Sequence, residues 1–272
     1  HGMKHLRLTK PLLFISLLFM VSTTCASEQP IKIMPLGDSI TAGYTDNPNW
    51  QHPFNFGYRS GLVQRLRQTD IKFEMVGQSA EPFDNRFGDP TKPVIDPDEK
   101  RSTVIQAFQP TLDLRALKQN GHRGYGGWRI PQIEKHIKQW LQADRPDIIL
   151  LMIGINGIST NSPSQLDALV NTIFNTDNSL HVIVAQITPK HKFKQTLLDY
   201  NRYIRETLTP KYQQRGYAIS TVDLYQHFLK NKAEPRSIDV SLLSNGINHP
   251  TNQLYDKIAQ TWFAEIQRIL AK

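Results

Sequence analysis

The stretch Asp147-Ile148-Ile149-Leu150-Leu151-Met152-Ile153 decides the fold. An apolar run this short and this continuous reads as a central strand covered on both faces. Gly154-Ile155-Asn156 follows it directly. Upstream, Ile31-Lys-Ile-Met-Pro-Leu36 and Ile71-Lys-Phe-Glu-Met-Val76 read as two further strands. Downstream, His181-Val-Ile-Val-Ala-Gln-Ile187 and Tyr217-Ala-Ile-Ser-Thr-Val222 read as two more. Between them the apolar residues change to helical spacing. Leu62, Val63 and Leu66 mark a helix over 58–68. Ile130, Ile133, Ile137, Trp140 and Leu141 mark a second, and Leu166, Leu169, Val170 and Ile173 a third. Leu197, Asn201, Ile204 and Leu208 continue the pattern, and a last helix carries Leu254, Ile258, Trp262, Phe263, Ile266 and Ile269. Five strands separated by helices predict an α/β chain, a three-layer sandwich around a parallel sheet. Functional groups of such sheets gather at the carboxyl ends of the strands.

Composition agrees with one such domain. The chain has 272 residues, 39% hydrophobic and 21% charged, so a packed core is expected and disorder is not. Its formal charge of +8 raises nucleic acid as a partner, but the basic residues are scattered, which reads as solvated surface. A single cysteine rules out an intramolecular disulfide and a Cys-based zinc site, and no HExxH pair occurs.

The first 26 residues read separately. His1-Gly2 before Met3 looks like a cloning remnant. Lys4, Arg7 and Lys10 precede the apolar run Pro11-Leu-Leu-Phe-Ile-Ser-Leu-Leu-Phe-Met-Val21, and the small residues Ser22 to Ala26 follow it. This is the layout of a secretory signal peptide, and the apolar run is too short to span a membrane. Cys25 as a lipoprotein acceptor is disfavoured by Ser22. Cleavage after Ala26 removes three cations, no acid and the only cysteine. A secreted or periplasmic protein with no membrane span is expected, its single domain covering 27–272. Within it, 81–123 holds five prolines and little periodicity, and reads as a long insertion beside the strand ends, either a surface excursion or a wall of the site.

Four small blocks fall at that edge. Ser39 follows the first strand in Gly37-Asp38-Ser39-Ile40-Thr41, where Gly37 permits a tight backbone. Gly124-Tyr125-Gly126-Gly127-Trp128 precedes a helix and leaves backbone N–H groups free to face an anion. Asn156 ends the central strand, where its amide can donate to an oxyanion. His249-Pro250 precedes the last helix, where an imidazole can take a serine proton and return it. Singly, each is as readily a turn, a loop or a surface histidine. The other eight histidines have no such neighbourhood. Together they bring a nucleophile, two oxyanion donors and a base to one edge of one sheet.

In these blocks the chain resembles the SGNH (GDSL) hydrolase family: Gly37-Asp38-Ser39, the glycine of Gly126-Gly127-Trp128, Gly154-x-Asn156, and His249-Pro250 in Asn245-Gly-Ile-Asn-His-Pro-Thr251. Gly126-Gly-Trp-Arg-Ile-Pro-Gln-Ile133 and Val184-Ala-Gln-Ile-Thr-Pro189 look most like its acetyl-xylan-esterase branch. The resemblance implies a flavodoxin-like fold and a serine esterase that removes O-acyl groups, O-acetyl first, from a poly- or oligosaccharide. Ser39 would be the nucleophile, and His249 the base and then the acid. The Ser39 N–H, the Gly127 N–H and the Asn156 amide would form the oxyanion hole. No metal or organic cofactor is implied. Two departures stand out. Gly157 replaces the usual Asp after Asn156, and Ser244-Asn245 occupies the place of the usual Asp before the histidine. Asn245, or a backbone carbonyl, is then the candidate to orient His249 without adding charge. Asp239 is poorly spaced for that task. Tyr125, Trp128 and Asp38 are candidate substrate contacts, and Trp50, Phe54 and Phe56 are further aromatics for stacking on sugar rings. A lysophospholipase, thioesterase or arylesterase of the same family is the second reading. A glycan-binding homologue with impaired chemistry is the third. The oligomeric state is not legible.

Overall fold

The computed structural model describes residues 28–44, 56–82, 112–244 and 247–271. The leader at 1–26, Cys25, Trp50, Phe54, Asn245 and the centre of the 81–123 segment lie outside them.

The chain folds into a parallel sheet flanked by helices, a three-layer α/β/α sandwich. Strand β1 (Ile31–Gly37) leads to a one-turn helix α1 (Ser39–Ala42). Helix α2 (Tyr58–Arg67) and β2 (Phe73–Met75) follow, then the two-residue β3 (Arg123–Gly124). Next come α3 (Ile130–Asp144), β4 (Ile148–Met152), α4 (Ser162–Thr176) and β5 (His181–Gln186). Helix α5 (Gln195–Tyr203) passes through a π-helical turn (Ile204–Leu208) into α6 (Thr209–Gln214). Strand β6 (Ile219–Asp223) and the long α7 (Asn252–Leu270) complete the described domain.

The strand order is β2-β1-β4-β5-β6, with β3 also pairing β1. All pairings are parallel. Because β4 occupies the other side of β1, β3 continues the line of β2, pairing Leu36 with Arg123 and Gly37 with Gly124. Right-handed crossovers then fix the layers. The chain moves one way from β1 to β2 and the other way from β1 to β4, β5 and β6, so α2 lies on one face and α3 to α6 on the other. The packing agrees: α2 pairs with α7, and α3 with α4. The order reverses between β1 and β4, and a crevice opens outside their carboxyl ends.

The apolar pattern is used as the sequence suggests. All five residues of β4 are buried, and Ile33, Met34 and Leu36 of β1 are inaccessible beside them. Asn201 shares an apolar-spaced face but is satisfied: Nδ2 donates to the Ile187 carbonyl at 2.9 Å and Oδ1 accepts the Ile187 N–H at 2.7 Å. It thereby closes the carboxyl end of β5. Phe56, a candidate for stacking on sugar, is 1% exposed and packs in the core with the Arg59 and Arg115 guanidinium groups near its ring, so it presents no face to a ligand. No helix among the described residues is long and apolar enough to cross a membrane.

Candidate active site

Ser39 stands at the switch point because β1 turns there into a helix. Asp38 caps it: its backbone is extended and its Oδ1 accepts the Ile40 N–H at 3.0 Å. Ser39 is therefore the first residue of α1 and not of a loop, as a four-residue helix has too short a period to read. The helix closes on Gly43 at φ +102°, whose N–H donates to the Ser39 carbonyl. Gly37 is needed for space and not for a special torsion. A Cβ there would sit 2.1 Å from the Met152 carbonyl oxygen and 2.5 Å from Thr41 Oγ1. The last residues of β1 and β4 thus approach as closely as backbone allows.

Arg59, inaccessible on α2, holds the far end of this turn. Its Nε and Nη2 donate to the Thr41 and Ala42 carbonyls at 3.1 and 2.9 Å, and Nη1 donates to Asn120 Oδ1 at 2.9 Å. The last carbonyls of α1, which have no helical partner, are satisfied in this way.

His249 reaches Ser39 from across the sheet. A short antiparallel bridge joins Leu243 to Pro250. The Ser244 N–H and hydroxyl both donate to the His249 carbonyl, at 2.8 and 3.0 Å. Thr251 then caps α7 by accepting the Leu254 N–H at 3.4 Å. The imidazole Nε2 lies 2.8 Å from Ser39 Oγ, hydrogen-bond distance. The Tyr44 ring lies beside it, centroids 6.3 Å apart and planes at 29°.

The other two blocks join the same edge through backbone. The Tyr125 N–H donates to the Gly37 carbonyl at 3.1 Å, placing the glycine loop beside the turn that presents Ser39. Gly127 has φ +76° and is exposed, with open space where a Cβ would be. Gly154, at φ +126°, lies against Tyr200, whose hydroxyl donates to the Ile153 carbonyl at 2.7 Å. The loop after β4 then brings Asn156 Nδ2 to the Trp128 carbonyl, a 3.0 Å hydrogen bond that ties the second block to the third.

The three candidate substrate contacts differ in setting. Asp38 is 1% exposed and spent on its cap, so it faces the protein and not an open cleft. Burial pushes its carboxyl up to about 6, against the pull of the Ile40 N–H and the nearby His249. Tyr125 and Trp128, both half-buried, stack on each other at a centroid distance of 4.5 Å and on Trp140 of α3 at 5.2 and 5.8 Å. Arg123 lies over Trp140, pairs with buried Asp144 at 2.7 Å and donates to the Tyr125 hydroxyl at 3.1 Å. The two aromatics belong to a wall built on α3.

Sequence reasoning missed three side chains. Arg59 is one. His122, inaccessible, accepts the Gly124 N–H on Nδ1 at 3.0 Å and sits 2.7 Å from the Glu81 carbonyl through Nε2. An acceptor at Nδ1 leaves the proton on Nε2 and the ring neutral. Burial, reinforced by Arg59, holds it well below the ordinary imidazole range. Glu81 is the third: Oε1 accepts the Gly126 N–H and the Tyr44 hydroxyl, both at 2.9 Å. Among the described residues, no three His, Cys, Asp or Glu side chains cluster as metal ligands would.

Fold and site together define an α/β domain with a serine–histidine pair at the carboxyl edge of a parallel sheet. A family profile described as GDSL-like lipase/acylhydrolase matches residues 33–262, and the chain belongs to that family of esterases and acylhydrolases. Among solved structures it is similar to a family 3 carbohydrate esterase of Clostridium thermocellum, with 24% identity over 90% of this chain and 100% of that one, at a TM-score of 0.61. A family 3 carbohydrate esterase of Talaromyces cellulolyticus gives 17% identity, coverage of 89% and 98%, and a TM-score of 0.57. A catalytic mutant of an acetylxylan esterase from Geobacillus stearothermophilus gives 14% identity, coverage of 87% and 94%, and a TM-score of 0.55. At these identities the likeness is one of fold. No curated protein matches in sequence.

Proposed function

We propose that the protein is a secreted serine esterase that removes O-acyl groups, O-acetyl first among them, from a carbohydrate. The observation that carries this reading is the 2.8 Å approach of Ser39 Oγ to His249 Nε2 at the switch point of the sheet. Membership of the family supports ester hydrolysis. The carbohydrate esterases among its structural neighbours support the substrate class, and the basic-then-apolar leader at 3–26 supports export.

In the mechanism Ser39 Oγ attacks the ester carbonyl carbon while its proton passes to His249 Nε2. The carbonyl oxygen becomes an oxyanion. The Ser39 N–H serves it first, because the first residue of a helix has no partner one turn back. The Gly127 N–H and Asn156 Nδ2 complete the hole. Nδ2 carries two hydrogens and the Trp128 carbonyl takes only one. Collapse breaks the bond to the sugar oxygen, which takes the proton from His249. A water then attacks the acyl-serine, gives its proton to His249 and releases the carboxylic acid as Ser39 recovers its hydrogen. Asn245, or a backbone carbonyl, orients the imidazole.

The test is Ser39→Ala assayed on p-nitrophenyl acetate and acetylated xylan. The variant is expected to lose turnover and labelling by a fluorophosphonate. Full activity without Ser39 Oγ overturns the serine mechanism. Deacetylation measured across xylan, pectin and chitin fragments then identifies the glycan.

A further inference from the structure

We infer that Glu81 is a positioning residue of this site: one carboxylate oxygen ties the glycine loop to Tyr44, and Tyr44 lies against His249. The inference rests on the reading of Ser39 and His249 as the catalytic pair.

Glu81 sits at the start of the long Pro-rich segment and is 9% exposed. Its backbone is built into the edge of the sheet. The Glu81 carbonyl faces His122 Nε2 at 2.7 Å, and the Glu81 N–H donates to Ser79 Oγ at 3.3 Å. Ser79 Oγ in turn donates to the Gly124 carbonyl at 2.7 Å. Both ends of the residue are therefore fixed relative to β3. From that fixed base Oε1 reaches two groups at once, the Gly126 N–H and the Tyr44 hydroxyl, each at 2.9 Å.

Those two groups border the two halves of the chemistry. Gly126 precedes the proposed oxyanion donor, in a loop where Gly127 has open space around it and no side chain to restrain it. Fixing the Gly126 N–H fixes the Tyr125–Gly126 peptide, one residue before the Gly127 N–H. Tyr44 follows α1 directly. Its N–H donates to the Ser39 carbonyl at 3.0 Å, its carbonyl accepts the Tyr255 hydroxyl at 2.5 Å, and its ring flanks His249. With main chain and hydroxyl held, the ring has one place to lie. A buried carboxylate is a costly way to make two hydrogen bonds to neutral donors, and burial does push the Glu81 carboxyl up. What the residue supplies is one fixed acceptor for two donors at once. The fold accepts that cost where a shift of about 1 Å lowers rate by about a hundredfold.

The experiment compares Glu81→Ala, Glu81→Gln and Tyr44→Phe with the wild type and Ser39→Ala. Full steady-state kinetics on p-nitrophenyl acetate are measured well below each melting temperature. Glu81→Ala is expected to lower kcat about 10- to 100-fold with KM changed by less than about threefold, because geometry at the reacting atoms is lost and binding is not. Glu81→Gln keeps an acceptor in place and is expected to recover kcat to within about threefold of wild type. Tyr44→Phe keeps the ring and loses the tether, with kcat expected to fall about 3- to 10-fold, and it decides the matter if Glu81→Ala does not fold. Wild-type kcat in Glu81→Ala or in Tyr44→Phe overturns the inference, as does an effect confined to melting temperature. A wild type without ester turnover, or Ser39→Ala with full turnover, overturns the esterase reading instead.

Discussion

Asp38→Asn is expected to make the protein more stable at neutral pH. The substitution is isosteric, and an Asn Oδ1 accepts the Ile40 N–H as the carboxylate does at 3.0 Å, so the cap survives and only the charge is lost. The magnitude follows from the displacement of the Asp38 carboxyl from 3.8 to about 6, which burial causes. At roughly 1.4 kcal/mol per pH unit, this displacement corresponds to about 3 kcal/mol. Between about pH 4 and 6 the folded protein holds a proton that the unfolded chain has released, so this contribution to stability falls as pH rises. Above pH 6 it is fully unfavourable. Below pH 4 the wild type carries a neutral acid in both states, its O–H lying where the variant has N–H, and the two proteins are expected to be equally stable.

The assay is urea unfolding of both proteins at pH 4, 5, 6 and 7.5, read as midpoints at constant m. The difference should open from near zero to about 3 kcal/mol, or roughly 6–12 °C in melting temperature for a domain of this size. Comparing the two proteins matters, because His122 acts in the opposite direction. Burial holds its imidazole below 6.5, so its contribution is present above that pH and is lost as pH falls through the same range. The two slopes oppose one another in the wild type, and the difference isolates Asp38. A variant no more stable than wild type at pH 7.5 refutes the reasoning. The same variant should turn over ester more slowly, because the carboxylate lies close enough to His249 to favour the imidazolium formed during attack.

Asn156→Ala removes a proposed oxyanion donor together with its bond to the Trp128 carbonyl, and kcat on p-nitrophenyl acetate should fall by about 10²–10³ with KM little changed; an unchanged kcat excludes Asn156 from the hole. Arg59→Met leaves the buried Thr41 and Ala42 carbonyls without donors and should cost about 3 kcal/mol in urea unfolding. A loss below about 1 kcal/mol would mean that α1 needs no such closure. Gly37→Ala forces a methyl within 2.1 Å of the Met152 carbonyl, and the strand pair must part to admit it. Destabilisation of about 3 kcal/mol or loss of soluble protein is expected, and near-wild-type unfolding would show that β1 and β4 can separate freely at their carboxyl ends.

The scaffold was legible where one residue type repeats. Ile148 to Met152 are all buried because an apolar run with no polar alternation has no face to give to water. The helix at Ile130–Asp144 is legible from its spacing, and Ile130, Ile133, Ile137, Trp140 and Leu141, which mark it, are all buried. Ser39, Asn156 and His249 were placed at one edge by their position after or before such elements. Short elements were not legible. Helix α1 has four residues and β3 has two, and neither fills one period of its own pattern. Glycine was legible as a marker but not in its cause, since Gly37 is required by the approach of another strand and not by its own torsion. Single polar residues were illegible in principle. His122 and Glu81 stand 41 positions apart, and they become neighbours because the chain after β2 runs along β3, where the Ser79 N–H donates to the His122 carbonyl at 3.0 Å.

The buried polar residues around the site share a location. Asp38, Arg59, Glu81 and His122 are all buried, and all touch either the turn that presents Ser39 or the loop that carries Gly127. Burial is the largest cause shifting the titration of each of them from its ordinary range. Away from the carboxyl edge, the sheet is held by Ile, Leu, Val and Met, whose burial is favourable and whose pattern announces itself. At the edge, apolar packing has no direction to give. An N–H must point at one place and an imidazole must lie in one plane, and hydrogen bonds to fixed acceptors are what supply direction. Each such bond needs a polar atom taken out of water, which is unfavourable until its partner is in place. The local departures from hydrophobic patterning therefore collect where orientation is needed most, at the crevice between β1 and β4.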